Sequence, residues 1–211
     1  MSGTRYETYL DETLPLVCHK VYRTPDFCSN EANWHEDLEI ELITDGAGSV
    51  LLDGERYALS HDDIVVVNSH VVHYTAADTF LRYDCFIIGS DFCRQAGIDY
   101  TALAFSSILR DAGLKSILTD IKAFYMREDT PCRVARLQQQ LLSLLIELRL
   151  HYTEAQMCRE THRAFTAVKD AIKYIKENYR RRLTLEELSH ACLLYTSDCL
   201  GKLGFAGSLF P

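Results

Sequence analysis

The chain has 211 residues, of which 47% are hydrophobic and 25% charged, with 4 Pro and 10 Gly; this globular balance excludes a collagenous, linker-dominated or disordered chain. At roughly 100 to 200 residues per domain, the length fits one full domain with a smaller second one, or two small ones. The formal net charge of -8 is unevenly spread: residues 1–162 carry 14 basic against 25 acidic residues, 163–182 carry 7 against 2, and 183–211 return to a net of -2.

A short basic block in an acidic chain is the arrangement in which one segment tracks phosphates while the rest does something else. A solvated face on a single surface helix would have the same composition. No apolar run approaches the ~20 residues of a membrane span, and the start MSGTRYETYLDETLPLV lacks the basic and long apolar stretches of a signal peptide. A cytoplasmic protein with no membrane partner is therefore expected. The eight cysteines, at 18, 28, 85, 93, 132, 158, 192 and 199, form no C-x-x-C and lie mostly in apolar stretches. They read as reduced, mostly buried thiols.

Residues 14–89 hold short runs rich in Val, Ile, Leu, Phe and Tyr: LPLVCHKVY, LEIELIT, SVLLDGERYAL, DIVVVN, VVHYTA and FLRYDCFII. Asp53-Gly54 between two such runs predicts a two-residue type I′ hairpin, and Asp45-Gly46-Ala47-Gly48 predicts another turn. Six or seven short strands joined in this way predict a small antiparallel barrel or jelly roll.

After Gly89 the period lengthens to that of a helix. Helices are expected over 113–127 and 131–158, the second with Pro131 in its first turn. In that helix Val134, Leu137, Leu141, Leu144, Leu145, Leu148 and Tyr152 fall on one stripe. The stripe could pack on the barrel or on the preceding helix. It could equally be a homodimer seam made by Val134, Leu137, Leu141, Leu144 and Leu148, since 134, 141 and 148 keep a seven-residue repeat.

A third helix is expected over 168–179, with Val168, Ala171, Ile172, Ile175 and Tyr179 on one face. Lys169, Lys173, Lys176 and Arg180 occupy the other faces, and Arg181 and Arg182 follow. Thr184-Leu185-Glu186-Glu187 has the form of a capping box that opens a new helix.

Two constellations carry chemistry. In Asn33-Trp34-His35-Glu36-Asp37-Leu38-Glu39, the even spacing of Asn33, His35 and Glu39 would turn all three to one side of an extended strand. His73 ends the segment DIVVVNSHVVH. These residues resemble the cupin superfamily, whose first motif has the form G-x5-H-x-H-x3-E-x6-G: His35, Glu39 and Gly46 match it, and His73 matches the closing His of the second motif. Asn33 stands where the first metal-binding His would be, and Asp62 stands where a Gly would precede Asp63. The resemblance implies a site of two His and one carboxylate, enough to hold a divalent ion with open positions. Without a metal, the same groups would be hydrogen-bonding residues in an apolar-walled pocket for an organic ligand.

The second constellation, Val168 to Tyr179 followed by Leu183 to Ala191, resembles the opening of the DNA-binding domain of the AraC/XylS family of bacterial transcription regulators. In that family a helix of the form I-x-x-A-x-x-Y-I-x-x-N-Y precedes L-T-L-E-E-L-A. The resemblance implies a cupin-like sensor barrel, a helical dimerisation segment and helix-turn-helix units, in that order. From Tyr195 to Gly207 the chain departs from the family, because glycines at 201, 204 and 207 make a poor recognition helix.

The expected fold is thus α+β: an N-terminal cupin-like antiparallel β-barrel (jelly roll) over 1–100, a helical dimerisation segment over 101–160, and an incomplete helix-turn-helix domain over 161–211. The expected function is a non-enzymatic, ligand-responsive transcription regulator, without a cofactor and truncated within its first helix-turn-helix. Its effector, a sugar or another small polar metabolite, would touch Asn33, Trp34, His35, Glu39 and His73. DNA would be met by Lys169, Lys173, Lys176, Arg180, Arg181 and Arg182. The alternative is a metal-dependent cupin enzyme, a dioxygenase or isomerase, using His35, Glu39 and His73.

Overall fold

The computed structural model describes residues 5–6, 14–25, 32–100, 103–129, 131–156, 171, 174–175 and 177–191. The chain divides into two compact units, 1–156 and 157–211. The first contains β1 (Arg5–Tyr6), β2 (Leu16–Arg23), β3 (Asn33–Trp34), β4 (Leu38–Leu52), β5 (Glu55–Leu59), β6 (Ile64–Val67), β7 (His73–Ile88), α1 (Ser90–Gln95), β8 (Leu103–Phe105), β9 (Ile108–Leu109), α2 (Ala112–Met126), α3 (Arg133–His151) and β10 (Thr153–Gln156).

Two long strands organise this unit. β4 and β7 pair antiparallel along their whole length, from Leu38↔Ile88 to Leu52↔His73. The first half of β4 and the second half of β7 lie in the order β2-β7-β4-β6-β9, whereas their other halves lie in the order β5-β4-β7-β3-β1. Each strand therefore serves two strand arrays, as in the expected jelly roll. The sheet extends beyond the predicted 14–89, because β1 joins β3 and β9 joins β6.

The β4–β5 hairpin forms as predicted, with Leu52↔Glu55 as its last pair. Asp53 and Gly54 both have positive φ, +46° and +90°, as a type I′ turn requires. The turn expected at Asp45–Gly48 does not form. β4 instead runs through these residues, with register shifts against β7 between Ile43 and Asp45 and between Gly46 and Gly48. Small residues are needed here because the strands approach closely: a Cβ on Gly46 (φ +84°) would lie 2.1 Å from the Phe80 carbonyl oxygen, and one on Gly48 would lie 2.1 Å from that of Ala76. The bulges bend β4 out of one array and into the other. Gly46→Ala is expected to lower stability by more than about 1 kcal/mol, read as a shift of the urea midpoint, since both conformation and space oppose a side chain. Asp62, at the position of the cupin glycine, has φ +72°, so the glycine-like backbone persists without the glycine.

Alternation along β4 builds two cores. Leu38, Ile40 and Leu42 face one side, where Leu16, Ile64, Val66, Phe86 and Ile88 join the apolar faces of α2 and α3. Ile43, Val50, Leu52, Leu59, Val65, Val67, Leu81, Tyr83, Cys85 and Ile87 form the other, the barrel interior. Helix α2 is capped by Asp111, whose side chain accepts from the Leu114 amide, and Lys122 of α2 reaches the buried Asp84 of β7 at 2.5 Å.

The leucine stripe of α3 lies inside this unit. Leu137, Leu141, Leu144, Leu145 and Leu148 are at most 1% exposed and pack with Leu114, Leu118 and Ile121 of α2 and with the sheet. The seam read from Val134, Leu137, Leu141, Leu144 and Leu148 is corrected accordingly: four of these residues are core, and Val134 alone is exposed. Residues 103–129 and 131–156 thus belong to the same compact unit as the barrel and share the core on the other side of β4 from its interior. Pro131 precedes α3, with Cys132 at its N-cap in the left-handed region (φ +55°), so Pro131 does not occupy the first turn. The helix also ends earlier than predicted, since residues 153–156 form β10 against β8. Among the described cysteines, Cys18, Cys85 and Cys93 are buried and Cys132 is exposed, all free.

In the second unit, Ala171, Tyr174–Ile175 and Glu177–Asn178 are helical, and α4 spans Leu185–Ala191. The capping box forms reciprocally: the Thr184 amide donates to Glu187 Oε2 at 3.0 Å and the Glu187 amide to Thr184 Oγ1 at 3.2 Å. The segments expected to depart from a recognition helix, 195–207, lie outside the described residues.

Candidate functional site

The three residues singled out by spacing converge. His35, Glu39 and His73 are all buried, and one potential ligand atom from each lies within 4.8 Å of the others. The local path differs from the one expected. His35 and Glu39 do not share a strand: β3 ends at Trp34, a bend follows at Glu36–Asp37, and β4 starts at Leu38. The bend brings His35 back, so that its Nε2 is 2.8 Å from Glu39 Oε2.

His73 comes from the opposite array and places Nε2 3.5 Å from the same Glu39 oxygen. The two imidazoles meet edge to face at 5.0 Å. Each ring is oriented through Nδ1, which donates to a backbone carbonyl: that of Asp37 at 2.9 Å for His35 and that of Val71 at 3.1 Å for His73. Such outer contacts fix ring orientation and turn both Nε2 atoms toward the carboxylate. The loop that carries His73 is tied down by His70 N–H to the His35 carbonyl, by the Ser69 hydroxyl to the Glu36 carbonyl, and by the Val72 amide to Asp53 Oδ1.

Asn33 and Trp34 lie at the edge of this centre. Asn33 is half-buried and stands opposite His73 in the β3–β7 register. The Trp34 ring lies 6.4 Å from that of His70, whose backbone has φ +67°.

Four polar residues not singled out in the sequence complete the interior. Cys85 Sγ donates to Glu39 Oε1 at 3.3 Å. Glu41, only 2% exposed, accepts from the Thr75 hydroxyl, 3.0 Å from each carboxylate oxygen, and lies near Tyr83. His73–Glu39 and Thr75–Glu41 are two rungs across the barrel, each joining the first half of β7 to the first half of β4. The signal for Glu41 was present in LEIEL, where a second carboxylate follows Glu39 at the period of the strand.

These groups set one another's ionisation. Burial works against the charge of Glu39, yet the positive His73 and the hydrogen bonds from both histidines hold its carboxyl well below the usual range. Burial also opposes protonation of His73, but the Glu39 charge and hydrogen bond raise it to about 9. Glu41 is pushed up to about 8 by burial and by the neighbouring Glu39 charge. Burial holds the Cys85 thiol well above its ordinary value.

Of the residues expected to meet DNA, Lys169, Lys173 and Lys176 lie outside the described residues. Arg180, Arg181 and Arg182 are exposed. Arg181 is already engaged: its guanidinium donates to Glu187 Oε1 and to the Tyr174 hydroxyl, both at 2.8 Å, and to Asn178 Oδ1 at 3.3 Å. It therefore holds the turn between the two helical segments together.

Among the described residues, no helix is long and apolar enough to cross a membrane.

Comparison with known proteins adds three findings. The family described as AraC-like ligand binding domain matches residues 15–167. No curated protein sequence matches the chain. Among solved structures, ToxT from Vibrio cholerae aligns with a TM-score of 0.54 at 10% identity, over 92% of this chain and 78% of that one. ToxT of strain O395 bound to (E)-4-(8-methylnaphthalen-1-yl)but-3-enoic acid gives 0.55 at 9% identity, over 93% and 78%. Unsaturated fatty acid-bound ToxT of strain SCE256 gives 0.56 at 11%, over 90% and 74%. At such identities the likeness is one of fold.

Proposed function

Because the chain belongs to the AraC-like ligand-binding domain family, we propose that it is a ligand-responsive transcription regulator whose small-molecule effector enters the barrel and touches Asn33, Trp34, His35, Glu39 and His73. The observation that carries this reading is the buried His35–Glu39–His73 centre inside an aliphatic wall. A few placed polar groups in an apolar enclosure are what a small-molecule site needs. The fatty-acid and naphthyl-butenoate complexes of ToxT, a protein of similar fold, support an organic effector. An effector that favours one of two arrangements of the barrel and its helices would change how DNA-binding units are presented.

The second unit is the part that meets DNA in this reading. Lys169, Lys173, Lys176, Arg180 and Arg182 supply attraction to phosphates, and Arg181 acts by holding the turn. Phosphate contacts alone give salt-dependent, sequence-indifferent binding. Anisotropy titrations of the 211-residue chain against the DNA upstream of its own gene and a scrambled competitor test this. Weak binding that falls steeply with salt is expected, and no binding at low salt would remove DNA as a partner.

A homodimer would use the outer face of α3 rather than its buried stripe. Ile146 (47% exposed) and Leu150 (69%) are solvent-facing on that helix, and Leu142, half-buried, precedes them on the same i, i+4 row. Ile146→Glu with Leu150→Glu is expected to give a folded monomer by sedimentation. A wild-type chain that is itself monomeric at micromolar concentration would end the dimer proposal.

One observation favours a second reading, a metal-dependent cupin enzyme. Both Nε2 atoms point at one carboxylate while both Nδ1 atoms are engaged by carbonyls, and this donor set suits a divalent ion. His35, Glu39 and His73 would hold the ion, which would supply Lewis-acid or redox chemistry. Asn33, opposite His73, would leave that position to a weaker amide donor. Stoichiometric transition metal in the purified chain, lost in His73→Ala, would favour this reading; its absence would favour the sensor.

A further inference from the structure

The loop that carries His73 has its other end at Asn68, and that residue joins two sheets. β8 and β10 form a two-stranded sheet of their own, apart from the eight-stranded one. β6 and β9 pair antiparallel through Ile64↔Leu109 and Val65↔Ile108, and the Val66 amide donates to the Ser107 carbonyl at 2.8 Å. Continued past the end of β6, this register sets Asn68 opposite Phe105. There the Asn68 side chain takes the place of a strand: its Nδ2 donates to the Phe105 carbonyl and its Oδ1 accepts from the Phe105 amide, both at 2.8 Å. A primary amide carries a donor and an acceptor side by side, so it can serve both backbone groups of one residue. Phe105 is 1% exposed, and buried backbone groups need such partners.

The opposite edge of β8 faces β10. Phe105 stands opposite Thr153 in that register, and the adjacent Ser106 amide donates to the Tyr152 carbonyl at 2.9 Å. β8 is thus held on one edge by a side chain and on the other by β10, which ends at Gln156, the last residue of the first unit. The 68–73 loop is in turn fastened to the site. The Ser69 hydroxyl donates to the Glu36 carbonyl at 2.7 Å, the His70 amide to the His35 carbonyl at 2.9 Å and the Val71 amide to the Asn68 carbonyl at 3.2 Å. His73 then opens β7.

We infer that Asn68 is the positioning residue that passes a change at the His35–Glu39–His73 centre to β8 and β10, and so to the strand from which the chain leaves for the second unit. This specifies how the sensor proposed above is read out, and it rests on that reading. A change that shifts the 68–73 loop draws the carboxamide off Phe105. Two buried backbone groups then lose their partner, and the β8–β10 ladder loosens.

Hydrogen exchange of the full chain, read by mass spectrometry, tests this in a double-mutant cycle. The peptides followed cover 103–108 and 152–156, with 38–43 of β4 as the reference. His73→Gln supplies the change at the site without any effector, and His35→Gln replaces it if the first variant does not fold. In the wild-type background it is expected to speed exchange of the β8–β10 peptides at least about fivefold relative to the reference, the low end of a coupling between sites. In Asn68→Ala these peptides should already exchange faster, and adding His73→Gln should speed them no further. Asn68→Asp, which keeps the acceptor and loses the donor, should give an intermediate response, and it carries the cycle if Asn68→Ala does not fold. Equal acceleration by His73→Gln with and without Asn68 would overturn the inference, as would no acceleration in the wild-type background. Asn68→Ala that speeds the reference as much as the β8–β10 peptides would also overturn it, since Asn68 would then stabilise the whole unit. The DNA titrations above judge the regulator reading separately.

Discussion

Leu141→Ala and Leu148→Ala are each expected to destabilise the first unit by about 2–5 kcal/mol, measured as a fall in the urea midpoint with little change in slope. Both side chains are fully buried between α3, α2 and the sheet, so truncation opens a cavity as well as removing transfer energy. Glutamate at both positions would bury two unpaired carboxylates and is expected to leave no folded chain, since the cost approaches the 5–15 kcal/mol stability of a whole domain. A seam between subunits would behave oppositely, giving a folded monomer. If Leu141→Glu and Leu148→Glu together leave the circular dichroism spectrum and Tm intact, the packing described for α3 is wrong.

Stability is expected to peak near mildly acidic pH and to decline toward pH 9. A group that holds its proton more tightly when folded makes stability fall as pH rises through the interval between its two values. For Glu41 that interval runs from the ordinary 4.5 to about 8, and for His73 from 6.5 to about 9. Each contribution is fully present below the lower value and lost above the higher one. Glu39 has the opposite sign: held well below 4.5, it contributes above that value, and its contribution is lost as pH falls through the lowered one. Glu41→Gln, neutral throughout, should remove much of the decline between about pH 5 and 8, a gain on the order of a few kcal/mol at the alkaline end. Denaturant midpoints of both proteins across pH 4 to 9 check this; parallel profiles would mean that Glu41 is ionised at neutral pH.

The barrel was readable because a strand buried on both faces is a short apolar run between turn residues, and because Asp53-Gly54 has few other uses. Asp45–Gly48 misled, since glycines needed for close strand approach look like glycines needed for a turn. The α3 stripe misled for a related reason: helical periodicity states that a face is covered, not by what. His35, Glu39 and His73 were legible as a motif, although the bend at Glu36–Asp37 and not strand pleating brings the first two together. Glu41, Thr75, Tyr83 and Cys85 were passed over because alternating charge in a strand usually marks a solvent face. Only the pairing of β4 with β6 and β7 makes that face an interior.

The sharing of β4 and β7 between both arrays also governs how the first unit assembles. The β4–β5 hairpin is local and closes around a two-residue turn, and β6 can join the first half of β4 next, but the remaining pairing of β4, which runs along its whole length, waits for β7 to arrive. Neither array can then be completed without the other, because half of each is made of the same two strands. The arrays should appear together in refolding, as a single slow phase on the millisecond-to-second scale of non-local β topologies, with the interior carboxylates sealed in only at the end.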